Sequence, residues 1–293
     1  MPIDAAAALA APPRSTEIAW ERKDVLLYHL GVGAGAGLPP TDRDELRYTY
    51  EKNLQVLPSF ATVAGGGLAK AGGFQQPGID VELAKVLHGG QRIALHRPLP
   101  PAGRAVLENS VAAVHDKGKA AVIVIRGQAS DGDGPLWTSD TEIFVRDAGG
   151  FGGERGSTAR FPAPDRDPDW TVDRPTRPDQ ALLYRLSGDW NPLHADPDFA
   201  KLAGFDQPIL HGLCSYGITL KALVDTLLDG DATRVEEYST RFAGVFFPGE
   251  TMRVRIWEDV TAATADGRRR LVVNAVSAER NAPVLTDTVL TYR

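Results

Sequence analysis

The pentapeptide Leu26-Leu27-Tyr28-His29-Leu30 returns as Leu182-Leu183-Tyr184-Arg185-Leu186, an offset of 182 − 26 = 156 residues in a chain of 293. Self-similarity at that distance says that the chain holds two copies of one unit, each of ordinary domain size. The sequence downstream of each copy agrees. A helical run (80–87 and 212–228), a strand-like segment closing on Pro101-Ala102-Gly103 or Pro248-Gly249 (93–103 and 236–249) and further β-rich sequence (106–127 and 251–279) occur twice in one order. The turns at 115–118 and 265–267, each leading into a Val/Ile/Leu-rich run, read as matched hairpins. We therefore expect a first repeat over 1–146, a linker rich in Gly, Pro, Asp and Arg over 147–173, and a second repeat over 174–293. Residues 1–15 read as a loose arm, and 16–31 as a helix with Trp20, Val25, Leu26, Tyr28 and Leu30 at helical spacing and Gly31 as its stop.

The strongest helical pattern starts at Gly212. Leu213, Tyr216, Leu220, Leu223, Val224, Leu227 and Leu228 recur at threes and fours, while Cys214, Ile218 and Ala222 leave few polar positions on the other faces. A helix apolar nearly all round is enclosed, here by an antiparallel sheet drawn from the later segments of both copies.

The copies differ in the loop after the shared pentapeptide. The offset lays Asp189 on Gly33, Asn191 on Gly35 and His194 on Leu38, so the first copy makes the same reversal without the polar set. A carboxylate and an imidazole that the fold does not require point to acid/base chemistry. The loop GVGAGAG of the first copy fails as a dinucleotide fingerprint, because it comes after a helical pattern and runs into Pro39-Pro40. Asp196-Pro197 reads as the N-cap and first position of a short helix ending at Gly204. That role competes with a metal reading of His194, Asp196, Asp198 and His211, and we expect no metal. Gly212 opens the apolar helix, so its amide can donate to an oxygen on which charge develops.

Composition narrows the partner. A formal charge of −6 and no long Lys/Arg cluster argue against nucleic acid and an anionic membrane surface, leaving a small molecule. With Cys214 alone, neither an internal disulfide nor a cysteine zinc site is possible. The N-terminal stretch lacks a basic region before its short apolar run, no run approaches 18 apolar residues, and Leu290-Thr291-Tyr292-Arg293 is not a peroxisomal tripeptide, so a cytoplasmic location is expected.

The stretches YRLSGDWNPLHADPDFA and ILHGLCSYG resemble the signature of the MaoC-like (R)-specific enoyl-CoA hydratases known as hydratase 2, including the hydratase portion of peroxisomal multifunctional enzyme type 2. The likeness extends through KDVLLYHLGVGA, LHGGQ and RPLPPAG to the final strands. It implies an α+β double hot-dog, two tandem repeats each with an antiparallel sheet wrapped round a central helix, and one active site in the second repeat. Asp189 and His194 would be the catalytic pair, Asn191 a companion orienting substrate and water, and the Gly212 amide an oxyanion donor. Substrate contacts would come from His88, Gly89 and Lys117, from Trp190, Pro192 and Leu193, and from Arg241 and Phe242. This chain departs from the family in having Gly90 where an acidic residue tends to follow His-Gly. The resemblance further implies a homodimer and no cofactor, CoA being part of the substrate.

The implied reaction is reversible syn hydration of a trans-2-enoyl-CoA. One rival keeps the fold and becomes an acyl-CoA thioesterase; another binds acyl-CoA without turnover, which would leave the Asp189/His194 pair without a purpose. Cys214, on the apolar helix, reads as structural. The short run at 80–87 leaves room beside the site, so medium, long or bulky acyl groups are expected.

Overall fold

The computed structural model describes residues 3–39, 41–66, 76–156, 160–262 and 267–293. Strands form where side chains alternate: in β3 (Gly103–Asp116), Ala105, Leu107, Asn109 and Val111 are buried while Arg104, Val106 and Glu108 face out. In chain order the elements are α1 (Ala5–Ala10), β1 (Arg14–Trp20), α2 (Arg22–Gly31), α3 (Leu46–Thr49), β2 (Val86–Leu95), β3, β4 (Ala120–Asp131) and β5 (Gly134–Arg146). They continue with β6 (Trp170–Pro175), α4 (Gln180–Tyr184), α5 (Pro197–Leu202), α6 (Gly212–Leu227), β7 (Val235–Phe242), β8 (Thr251–Glu258), β9 (Arg269–Ser277) and β10 (Ala282–Tyr292).

The ten strands of the described residues join one sheet in the order β1-β3-β4-β5-β2-β7-β10-β9-β8-β6. Read outward from the central β2–β7 pair, whose register runs from Gly90 opposite Arg241 to Ala94 opposite Glu237, the two halves have identical wiring. The first strands of the two halves start 170 − 14 = 156 residues apart, the offset of the pentapeptides. The architecture is the α+β double hot-dog.

The halves are unequal in what they wrap. Residues 80–87 are not a helix: a single 3-10 turn at Leu83–Lys85 leads straight into β2. The segment is too short to nucleate a helix by itself, and Val86 already pairs with Val145. The shared interior is therefore filled by α6, in which every residue from Cys214 to Val224 is buried. Gly217 lets the first repeat approach it, since a Cβ there would stand 2.6 Å from Tyr28 Oη and from Val32 Cγ1.

Other expectations need correction. The arm 1–15 contains α1, capped by the Asp4 side chain accepting the Ala7 amide at 2.9 Å. The expected helix 16–31 is a strand and then a helix. Ile18 and Trp20 alternate inward at period two, and the Glu21/Asp24 capping box starts α2 only afterwards. The strand-like segment 93–103 stops at Leu95, because Pro98, Pro100 and Pro101 cannot donate to a ladder. The linker ends early, at β6, which pairs with β8 along the sheet's edge. The turn at 115–118 joins β3 to β4. Of the turn at 265–267, residues 265 and 266 lie outside the described residues, although β8 and β9 on either side do pair antiparallel.

Candidate active site

The loop before α5 is held by its own polar side chains. The Asn191 amide donates to Asp189 Oδ1 at 3.1 Å, and the Leu193 amide to Asn191 Oδ1 at 3.0 Å, two successive Asx turns that start the 3-10 turn Pro192–His194. Among the described residues the second oxygen of Asp189 and the Nδ2 of Asn191 have no hydrogen-bond partner. Just beyond, Asp196 caps α5 by accepting the Asp198 and Phe199 amides, so that carboxylate is committed.

His194 is buried, and its Nδ1 lies 2.8 Å from the Ile209 carbonyl. That partner accepts only, so Nδ1 carries the proton and Nε2 offers a lone pair. Burial pushes the imidazole below its usual pKa of 6.5, more than the Ile209 carbonyl and Asp189 pull it back, and His194 is neutral at pH 7. Its ring stacks on His211 with centroids 3.6 Å apart. His211 donates Nε2–H to the Asp189 carbonyl at 3.2 Å, and its buried Nδ1 has no partner among the described residues. Burial, then the neighbouring His194, hold His211 below the usual imidazole range as well. The sequence put His211 only in a discarded metal set, yet it fixes the backbone of Asp189 and the plane of His194. Its place directly before the glycine of a helix start was the available signal.

The ligand atoms of Asp189, His194 and His211 all lie within 4.8 Å of one another. One water at about 2.8 Å from each of two acceptors can bridge a gap of up to roughly 5.6 Å, so Asp189 and His194 can share a molecule. A single metal ion fits less well. The rings are inclined by only 27° with centroids 3.6 Å apart, so an ion in the plane of one ring lies well out of the plane of the other. An ion about 2.1 Å from both nitrogens would stand far out of both ring planes.

The N-terminus of α6 faces the same space. His211 is its extended N-cap, at φ −60 and ψ 137, and the first intrahelical bonds run from Cys214 and Ser215 to the His211 carbonyl. The Gly212 and Leu213 amides therefore precede the helical ladder and carry the positive end of its dipole. Gly212 also admits Phe242, whose ring carbons would lie 3.1 Å from a Cβ there. Phe242 packs in turn on His88, centroids 4.6 Å apart, and His88 Nε2 meets Gln91 Oε1 at 3.1 Å. Burial lowers the His88 pKa to about 4.

A cavity of about 580 Å³ joins these groups, reaching from Asp189, His194 and Gly212 across to Leu107, Ile125 and Trp137 on the first repeat's sheet. Asn191, Leu193, His88 and Phe242 also line it; Gly89, Lys117, Trp190, Pro192 and Arg241 do not. Trp190 is 59% exposed with the Arg185 guanidinium 4.8 Å above its ring. Arg241 leans toward Asp287 at 4.0 Å. Lys117, on the β3–β4 turn, gives its ammonium to the Arg155 carbonyl. Cys214 is buried with its thiol on the Gly31 carbonyl at 3.3 Å, and burial pushes its pKa up, which suits a structural role.

A larger cavity, about 710 Å³, lies where the first repeat's loop corresponds to this site, with Gly33 and Leu38 on its wall. Its buried ammonium is already engaged: Lys221 Nζ reaches Glu45 at 2.6 Å and Asp225 at 2.8 Å, and Glu45 accepts the Gly35 amide at 2.7 Å. Size alone does not mark the reactive site. No helix among the described residues is long and apolar enough to cross a membrane.

The chain matches two family models, the MFE-2 hydratase 2 N-terminal domain over residues 19–147 and the MaoC like domain over 160–280. It is 49% identical over 293 residues to the enoyl-CoA hydratase ChsH3 of Mycobacterium tuberculosis, covering 99% of both chains. To the peroxisomal enoyl-CoA hydratase 2 of Arabidopsis thaliana it is 40% identical over 291 residues, covering 94% of this chain and 91% of that one. The crystal structure of a MaoC-like dehydratase from Phytophthora capsici superposes with a TM-score of 0.84 at 31% identity, covering 98% of each chain.

Proposed function

The chain belongs to the enoyl-CoA hydratase 2 family of MaoC-like hydro-lyases, and from that premise we propose that it adds water reversibly to a trans-2-enoyl-CoA to give the (R)-3-hydroxyacyl-CoA. The observation that carries the reading is a carboxylate oxygen of Asp189 and a ring nitrogen of the neutral His194 within 4.8 Å of each other, in a cavity that Gly212 at the start of α6 also lines. In the forward direction one water donates to Asp189 and to His194 Nε2. Its oxygen bonds to C3 while the C2=C3 electron pair moves toward the thioester oxygen. The proton leaving the water is taken up by the pair and returned to C2 from the same face. The charge gathering on the thioester oxygen is met by the Gly212 amide at the positive end of α6. Asn191 steadies this arrangement by fixing the turn that carries both catalytic side chains.

No cofactor enters these steps, since every bond change is served by the water, the pair and the amide. We extend the proposal to a cytoplasmic homodimer. The lone buried thiol of Cys214 suits a reducing compartment, and a named relative is peroxisomal, so the compartment varies among relatives. Asp189→Ala and His194→Ala should each lower crotonyl-CoA hydration by about 10²–10⁴-fold. Circular dichroism checks that the fold persists, and folded variants with near-normal turnover would end the assignment. Loss of enoyl absorbance without free thiol separates hydration from thioester hydrolysis.

A further inference from the structure

The pentapeptide that marks the duplication differs between the halves at one position, His29 in the first copy and Arg185 in the second. His29 turns inward, where it is fully buried and bonds the Tyr48 carbonyl and the Leu57 amide. Arg185 turns instead over the loop that carries the reactive pair. Its Nη2 donates to the Trp190 carbonyl at 3.2 Å, and its guanidinium lies 4.8 Å from the centre of the Trp190 ring. The Trp190–Asn191 peptide is thereby gripped at both ends, for its N–H donates to Asp189 Oδ1 at 3.1 Å. Donation to the carbonyl polarises that peptide and strengthens the bond its N–H makes to the carboxylate. Arg185 Nε is sealed from water without an acceptor, and no carboxylate pairs with the guanidinium among the described residues. An unpaired buried N–H is costly, and a methionine at 185 would avoid it.

We propose that Arg185 is a positioning residue of the hydration site, clamping the Trp190–Asn191 peptide and so holding the Asp189 carboxylate where it shares one water with His194. The proposal rests on the hydratase reading. It also accounts for Trp190, whose ring covers the guanidinium and does not line the cavity. Facing His194 are Asp189 from the loop, His211 from the start of α6 and Arg185 from the turn before the loop. His211 is held neutral by burial, so Arg185 is the one cation in this set, and its charge opposes protonation of the imidazole that must offer a lone pair. With that cation removed, His194 takes up its proton at a higher pH.

The experiment compares Arg185→Met and Arg185→Lys with the wild type in steady-state hydration of crotonyl-CoA. In parallel, and without substrate, the His194 imidazole is titrated by NMR, its signal assigned by its loss in His194→Gln. Arg185→Met should lower kcat by about tenfold or more with KM changed less, and should move the His194 midpoint to higher pH. Arg185→Lys keeps the charge near the same carbonyl, so it should recover part of kcat and bring the midpoint back toward that of the wild type. A methionine variant within about threefold of wild-type kcat overturns the proposal. So does a larger loss that the lysine variant shares in full while the His194 midpoint stays put in both, the pattern of a side chain that merely fills space. A wild type that leaves crotonyl-CoA unhydrated sinks the hydratase reading. The titration then decides on Arg185 by itself, a raised midpoint in the methionine variant supporting the clamp and an unmoved one overturning it.

Discussion

Gly212 offers a way to delete one hydrogen-bond donor and almost nothing else. It is the first residue of α6, where the amide has no intrahelical acceptor, and proline is accommodated at that position because the N–H it removes was unpaired. The residue before a proline must be extended, and His211 already stands at φ −60 and ψ 137. Gly212→Pro should therefore leave α6 intact while removing the donor aimed at the thioester oxygen. It also introduces a Cβ 3.1 Å from the Phe242 ring, so the control is Gly212→Ala, which adds that atom and keeps the amide.

The difference between the two variants is the quantity of interest. Loss of one oxyanion donor costs about 10²–10³-fold in kcat, or roughly 2.7–4 kcal/mol. Steady-state hydration of crotonyl-CoA should place Gly212→Pro that far below Gly212→Ala, with equal helical ellipticity. The neighbouring Leu213 amide also precedes the ladder and sets a floor under the loss. Equal kcat in the two folded variants would refute the assignment of the Gly212 amide and reduce the glycine to a seat for Phe242.

Acid stability and chain-length preference are equally open to measurement. His29 accepts the Leu57 amide at Nε2 (3.1 Å) and donates Nδ1–H to the Tyr48 carbonyl (2.9 Å), so it folds neutral, and burial lowers its pKa from 6.5 to about 4. The unfolded chain binds that proton first as pH falls. Stability is therefore present above pH 6.5 and lost on the way down to about pH 4, by roughly 2 kcal/mol between pH 7 and pH 5. Urea titrations at the two pH values should show His29→Gln losing that much less than the wild type, and equal losses would acquit His29. For the substrate, each methylene that enters the cavity is worth about 0.8 kcal/mol, so KM should fall along the enoyl-CoA series beyond four carbons. Activity confined to crotonyl-CoA would contradict the open wall of the first repeat.

The duplication was legible because its signature is periodic and local: LLYHL and LLYRL recur, and β1 and β6 keep the same 156-residue spacing. The polar set was legible by subtraction, since the offset lays Gly33, Gly35 and Leu38 on Asp189, Asn191 and His194, although the loops differ: Gly33 and Gly35 take positive φ where Asp189 and Asn191 form Asx turns. Residues 16–31 misled because the period-two pair Ile18 and Trp20 abuts the helical period of α2, and a window spanning both favours the longer element. Residues 80–87 misled because eight residues carry too few turns to show a period, and strand pairing with β5 decided the matter. Lys117, expected as a substrate contact, is engaged by a carbonyl of the segment between the repeats, a contact 38 residues away that no spacing rule reaches.

The asymmetry between the halves explains how a duplicated chain comes to have one reactive centre. A second α6-like helix in the first repeat would lie against the inner face now formed by Leu107, Ile125 and Trp137, the wall the cavity reaches. Among its described residues the first repeat has no such helix to present N-terminal amides to an oxyanion, and its loop, with Gly33 and Leu38 in place of Asp189 and His194, has no acid/base pair. The absent catalytic set and the open acyl space thus fall in the same half. The second repeat keeps α6, its positive end and the water-holding pair, and its substrate chain lies against the other half. Neither half should hydrate a long enoyl-CoA without its neighbour, because the groups that act on C2 and C3 come from one and the wall that receives the chain from the other.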